Sequence, residues 1–285
     1  MAERAVLKAT IGIVRRELGP ILDAIAIERV AMGEFFAGVK LSSGHAGACS
    51  AHGLNLNTGG QSTGLRGHKA DYLLDAAADA TGLERVLGIA TLNALAQLAA
   101  ESRAPAGCEE VDGLDAFAAA EVQPNETVVV IGAFGPFLRR LRGIGARHVV
   151  LEKDPALLKS HELPHYRPAH LAPDVVPHAD VVFITGATLA NETFGGLIAL
   201  ARPAARIILV GPTVPIIPDA FFDCGVGIVA GIRVNDPDAF MDVIAQGVPG
   251  YMFFGASAAK VVLRRRLHPA SPLQTRTQAL PLPVE

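Results

Sequence analysis

The residues best suited to chemistry fall in two groups. His45, Cys49 and His52 stand as H-x3-C-x2-H inside a glycine-rich stretch, residues 42–67, that carries no Lys, Arg, Asp or Glu before Arg66. Imidazole and thiolate bind transition metals, and three such ligands leave one coordination position open. No C-x2-C pair accompanies them, so incidental members of a glycine loop are the competing reading. Cys224, between Asp223 and Gly225, is a second soft-ligand candidate, although a free cysteine more commonly serves as a small buried hydrophobe. His161, His165, His170 and His178 lie among Pro164, Pro168, Pro173 and Pro177; this spacing reads as a loop in which metal or acid-base roles are poorly specified.

The second group is a series of turns, each following a short apolar run. Gly132-Ala133-Phe134-Gly135-Pro136 follows the run 128–131. Its glycines allow close backbone approach, Pro136 suits a first helical turn, and the free amides of that turn can hold a carboxylate or phosphate. The run is not G-x-G-x-x-G, because Phe134 occupies the third position, so a standard dinucleotide-phosphate loop is disfavoured. A turn used only for strand-to-helix packing is the alternative. Glu152 and Asp154 follow the next run, 148–151, where an acid would hold a ribose hydroxyl, as in nucleotide and S-adenosylmethionine folds, or stay solvated. Thr185, Gly186, Thr188, Asn191 and Thr193 follow the third run, and Gly211, Pro212 and Thr213 follow the fourth. Capping accounts for at least one of these hydroxyls. Four successive ends with small or hydrogen-bonding residues nevertheless point to a shared ligand crevice.

These turns need a scaffold, and the apolar runs supply it. Runs at 128–131, 148–151, 181–184, 207–210 and 226–229 are continuously apolar rather than alternating, the pattern of parallel strands covered on both faces. Helical patterns at 137–143, 193–201 and 237–246 alternate with them, predicting an α/β, Rossmann-like doubly wound parallel sheet over 125–266. Before it, residues 3–18 read as a helix ending at Gly19-Pro20, 26–32 and 35–41 as a strand pair, and 68–78 and 83–101 as helices. That gives a smaller α+β domain over 1–105, a linker over 106–124 that encloses a short helix at 114–120, and a proline-rich tail over 267–285. Residues 260–266 read as a basic, solvated helix end.

Composition limits the function. The 285 residues are 50% hydrophobic and 19% charged, with Lys+Arg 25 against Asp+Glu 28 and net charge -3. Such a chain folds into a core, and it has no global excess of positive charge for a phosphate backbone. With 12 Phe, 3 Tyr and no Trp, base-stacking platforms are scarce, and a nucleic-acid partner is not suggested. Three widely spaced cysteines fit a reduced, cytoplasmic chain. The longest uncharged run, 86–100, includes Thr91, Asn93 and Gln97 and is too short to span a membrane. No Walker loop, G-x-S-x-G or H-E-x-x-H occurs.

The runs VVVIGAFGPFLRRLRGIGARHVVLEKDP, ADVVFITGATLANETF and ILVGPTVPIIPDAFFDCGVGIVAGIRVNDPDAF together resemble the heavy-metal chelation family. The resemblance covers residues 125–250, with several motifs in order. It implies a Rossmann-like C-terminal domain, an N-terminal domain similar to that of enolase, and a site between the two. It places that site at Gly132, Phe134, Gly135, Pro136, Glu152, Thr185, Gly186, Asn191, Thr193, Gly211, Pro212 and Thr213, with Asp154 added from the residues themselves. The metal candidates His45, Cys49, His52 and Cys224 rest on chemistry alone. The expected function is binding or handling of a small ligand or heavy metal in the interdomain cleft. The alternative is a transferase or oxidoreductase using S-adenosylmethionine or NAD there. Expected partners are a metal ion or small molecule and no membrane. Whether the chain is catalytic, and whether it forms a homo-oligomer, stay open.

Overall fold

A computed structural model describes residues 2–53, 64–103, 107–111, 113–255 and 257–266. The 267–285 tail and part of the 42–67 stretch lie outside them. The chain opens with α1 (Ala2–Leu18), followed by β1 (Ile27–Met32), β2 (Phe36–Leu41), β3 (Ala46–Ser50), α2 (Asp71–Leu74), α3 (Ala76–Asp79) and α4 (Gly82–Glu101). Strands β1, β2 and β3 form an antiparallel sheet in that order. Helix α4 lies against β2 and β3. It is apolar around nearly its whole circumference, with 14 residues buried from Arg85 to Ala99, as a helix enclosed on all sides must be.

The second half contributes β4 (Cys108–Glu110), α5 (Ala116–Ala119), β5 (Thr127–Ile131), α6 (Gly135–Ile144), β6 (Arg147–Glu152), β7 (Tyr166–Pro168), α7 (Ala172–Val175), β8 (Val181–Thr185), α8 (Ala187–Ala190), α9 (Phe194–Leu200), β9 (Arg206–Val210), α10 (Asp219–Asp223), β10 (Ile228–Val234), α11 (Pro237–Ala245) and β11 (Ala258–Arg265). Among the described residues these strands form one eight-stranded sheet, in the order β4-β11-β10-β9-β8-β5-β6-β7. The run from β7 to β10 is parallel. Counting strands from β5, its order is 3-2-1-4-5-6, the doubly wound order, and the chain changes direction between β5 and β8.

Three local expectations are corrected. Residues 46–50 are not loop but a buried edge strand; Ala, Gly, Cys and Ser give little strand signal, and packing against α4 overrides it. Residues 106–124, expected as a linker around a short helix over 114–120, supply β4 in addition to that helix, α5. Residues 260–266 belong to β11 rather than a helix end: β11 runs antiparallel to β10 and carries β4 on its other edge. Helical signal over 68–78 resolves into the two short helices α2 and α3.

One continuous apolar core joins the halves. It includes Leu7, Val14, Val39, Cys49, Ile89 and Leu92 from the first half and Val129, Val182, Leu209 and Phe221 from the second. A second cluster, around Phe117, Phe137 and Phe183, fills the opposite face of the large sheet.

Candidate functional site

Helix α4 crosses the carboxyl edge of the large sheet, and a polar stripe set by its 3.6-residue repeat makes the contacts. The Arg85 guanidinium is fully buried. Its Nε and Nη2 donate to Leu189 O in α8, at 3.0 and 2.9 Å, and its Nη1 donates to Ala78 O at 3.2 Å. Two turns on, Asn93 Nδ2 donates to Ala48 O at 2.7 Å and reaches Pro212 O, beyond β9, at 3.4 Å. One turn further, Gln97 Nε2 donates to Ala46 O at 2.6 Å, while Gln97 Oε1 accepts from Val234 N, at the end of β10, at 2.7 Å. The unpaired carbonyls of the edge strand β3 are thereby satisfied from α4. Gly47 permits this approach, since a Cβ there would lie 2.4 Å from Ala90 O. Ser50 N completes the seam by donating to Thr213 Oγ1 at 2.9 Å.

Two groups in this seam stand out, an unpaired acceptor and a thiol whose Sγ donates to Ser50 O at 3.6 Å. Asn93 Oδ1 is buried without a hydrogen-bond partner, the one such side-chain atom among the described residues. An orphaned buried acceptor costs about 1–3 kcal/mol. Cys49 lies two residues from Gly47, so on the same, α4-facing side of β3, and is fully buried. Burial pushes its thiol well above the ordinary range, opposed by the positive charge of Arg85 and by the Thr213 hydroxyl. A buried thiol is neutral and unreactive until something more favourable than a proton displaces its hydrogen.

The other metal candidates do not join Cys49. His45 Nε2 lies 2.9 Å from Glu101 Oε1, with Nδ1 3.1 Å from Ser43 O. Because the intervening residues are extended strand at about 3.3 Å each, His45 and Cys49 are about 13 Å apart. His52 is exposed, its ring stacked on Phe35 at 5.8 Å. Cys224 ends α10 and directs Sγ to Phe221 O at 3.1 Å. Among the described residues no three His, Cys, Asp or Glu side chains converge as a metal cluster.

The strand-end residues divide between local caps and the β5–β8 switch point. Glu152 folds back to accept from Lys153 N at 2.6 Å, and Asp154 accepts from Ala156 N at 2.9 Å. Thr188 donates to Thr185 O at 2.7 Å, and Thr193 donates to Asn191 Oδ1 at 2.6 Å. Gly132 and Thr185 meet at the switch point: a Cβ on Gly132, whose φ is 109°, would lie 3.1 Å from Thr185 Cβ and 3.3 Å from the Phe134 ring. Phe134 stacks on Phe137 at 5.2 Å. A Cβ on Gly186 would meet Val214 at 2.7 Å and Thr213 at 3.1 Å. Gly211 has a φ of 133°, which favours glycine there. Pro136 is exposed in the first turn of α6. Beside Gly135 in that turn stands the buried Glu162, its Oε1 3.5 Å from where a Gly135 Cβ would be. The chain thus brings its own carboxylate to the helix start that could hold an anion.

Sequence reasoning did not single out Arg85 as a site residue and took Asn93 and Gln97 only as interruptions of an apolar run. Their signal is spacing: polar residues at positions 85, 93 and 97 share one stripe of an otherwise apolar helix.

No helix among the described residues is long and apolar enough to cross a membrane. The chain is 30% identical over 183 residues to an uncharacterized protein of Methanocaldococcus jannaschii, a match spanning 61% of this chain and 64% of that protein. Its fold is similar to two crystal structures of proteins of unknown function. One, from Pyrococcus horikoshii, has TM-score 0.72 and 17% identity, covering 93% of this chain and 100% of that one. The other, from Desulfitobacterium hafniense, has TM-score 0.68 and 20% identity, covering 90% of this chain and 99% of that one. Both come from the DUF364 family. Two family models match this chain in tandem, DUF4213 over residues 15–96 and DUF364 over 115–263, and both carry the same description. With its strand order, its two halves and both models in agreement, the chain belongs to the DUF364 family, described as "Putative heavy-metal chelation".

Proposed function

We propose that the protein binds a thiophilic heavy-metal ion in the seam between α4 with β3 and the carboxyl ends of β8 and β9. Cys49 is the anchoring ligand and Asn93 Oδ1 an oxygen donor. The observation that carries the reading is the unpartnered, buried Asn93 Oδ1 on the helix face that β3 turns Cys49 towards. The family description supports a metal as the ligand. The donor set narrows the class: one thiol and a neutral amide oxygen, without a carboxylate cluster, suit a soft ion rather than Ca2+ or Mg2+. Such an ion replaces the Cys49 proton, so binding releases a proton and strengthens with rising pH.

Calorimetric titration of the reduced protein with Cu+, Cd2+ and Zn2+ under anaerobic conditions tests this. One ion per chain is expected for at least one of them, with affinity lowered at least tenfold by Cys49→Ala and unchanged by Cys224→Ala. Binding indifferent to Cys49→Ala, or no binding at micromolar concentration, overturns the reading. Thermal unfolding of each variant shows whether it remains folded.

A further inference from the structure

Away from the seam, two imidazoles pack face to face. His148 on β6 and His165, just before β7, have ring centroids 3.9 Å apart and planes inclined by 22°. His148 is buried, and its Nδ1 lies 2.9 Å from Ala146 O, which fixes that nitrogen as the donor. His165 ends a single 3-10 turn, Leu163–His165, that leads straight into β7. β7 is an edge strand held to β6 through only three residue pairs. The same turn begins beside Glu162, whose Oε2 accepts from Lys159 N at 2.8 Å and whose Oε1 stands at the start of α6. The ring stack thus joins the segment carrying Glu162 to the body of the sheet.

We propose that His148 and His165 form an acid-sensitive clasp: as neutral rings they hold residues 153–168 on the sheet, and protonation separates them and withdraws the Glu162 carboxylate from α6. Two imidazolium rings 3.9 Å apart repel, and His148 cannot take a proton without a buried charge. Burial, the neighbouring His165 and Arg142 hold His148 below its ordinary range. The surroundings offer little relief. On its own strand are Arg147 and Glu152, the latter engaged by its own turn. β5 carries no charged residue, β7 carries Tyr166 and Arg167, and the 3-10 turn Ala169–Leu171 carries His170. The carboxylate nearest in sequence to His165 is Glu162, committed to Lys159 N and the α6 start and, through Oε1, 3.7 Å from Nε2 of the exposed His161. The transition therefore falls on the acid side of the ordinary imidazole range.

Hydrogen exchange of the intact chain at pH 7.5 and pH 5.5, corrected for intrinsic rates, is the test. Residues 153–168 are expected to lose at least tenfold in protection at the lower pH while β8 does not. His165→Phe, which keeps a ring against His148 without a charge, is expected to abolish the pH effect. No selective loss in the wild type, or an equal loss in His165→Phe, overturns the clasp. Proton NMR titration of the wild type provides a check that needs no variant. The clasp requires His148 to titrate with the opening of the segment, and two independent titrations near pH 6.5 refute it.

Discussion

At the scale of single residues, Cys49 has the clearest pH signature. Its folded thiol is held well above the ordinary range by burial, whereas the unfolded thiol ionises near about 8.5. A raised folded value means that its stabilising contribution is fully present below the unfolded value and is lost as pH rises beyond it. The slope for one such thiol is about 1.4 kcal/mol per pH unit. Between pH 8 and pH 10 the wild type is expected to lose about 2 kcal/mol more stability than Cys49→Ala. Cys108 and Cys224 are also raised by burial and contribute the same background to both proteins. Urea unfolding at the two pH values measures the difference, and parallel losses would show that Cys49 ionises freely in the folded chain. The sequence marks Cys49 as a soft ligand but not its burial, because burial comes from α4, more than thirty residues later.

At the scale of elements, the amides of α4 matter more than its apolar surface alone would suggest. Gln97 satisfies both Ala46 O and Val234 N. Gln97→Leu fills similar space but leaves a buried carbonyl and a half-buried amide unpaired, and is expected to cost about 2–4 kcal/mol. Chemical denaturation measures it; a loss under 1 kcal/mol would mean that β3 does not depend on α4 for its hydrogen bonds. The parallel strands other than β7, and α1, α4, α6, α9 and α11, were legible because their apolar runs and periodicities are strong. β3, β4, β11 and β7, which lies in a stretch read as loop, were not. β3 is made of small residues, β4 has three residues, and β11 places Lys260, Arg264 and Arg265 among its apolar positions. Each is a strand by virtue of a partner elsewhere in the chain, which a local pattern cannot reveal. The same limit applies to the candidate site: the turns after β5, β8 and β9 were legible as a group, but which of their hydroxyls would be spent on caps was not.

For the whole molecule, the continuous core predicts shared stability. α4 covers strand ends of the large sheet, and the ion pairs Lys40–Asp238 and Arg103–Asp219 also cross between the halves. A separately produced 107–266 fragment would expose the apolar surface that α4 and α1 cover. It is expected to bind a hydrophobic dye and to lack a sharp unfolding transition, whereas the intact chain unfolds in one calorimetric transition. Two well-separated transitions in the intact chain would show the halves to be independent. Sequence composition separates two styles of chain, but style does not report how closely two units are packed.

The pairing of β4 with β11 has a consequence for how the chain is routed. Arg266 N donates to Gly107 O at 2.9 Å, so the polypeptide enters and leaves the 107–266 unit at one point. That unit is nearly circular in its connectivity, and its first and last residues could be joined, and the chain opened at another surface turn, with little change to the path between them. Arg266 therefore ends the unit at the place where the first half arrives, so the first and last described residues of the unit share one corner of the molecule.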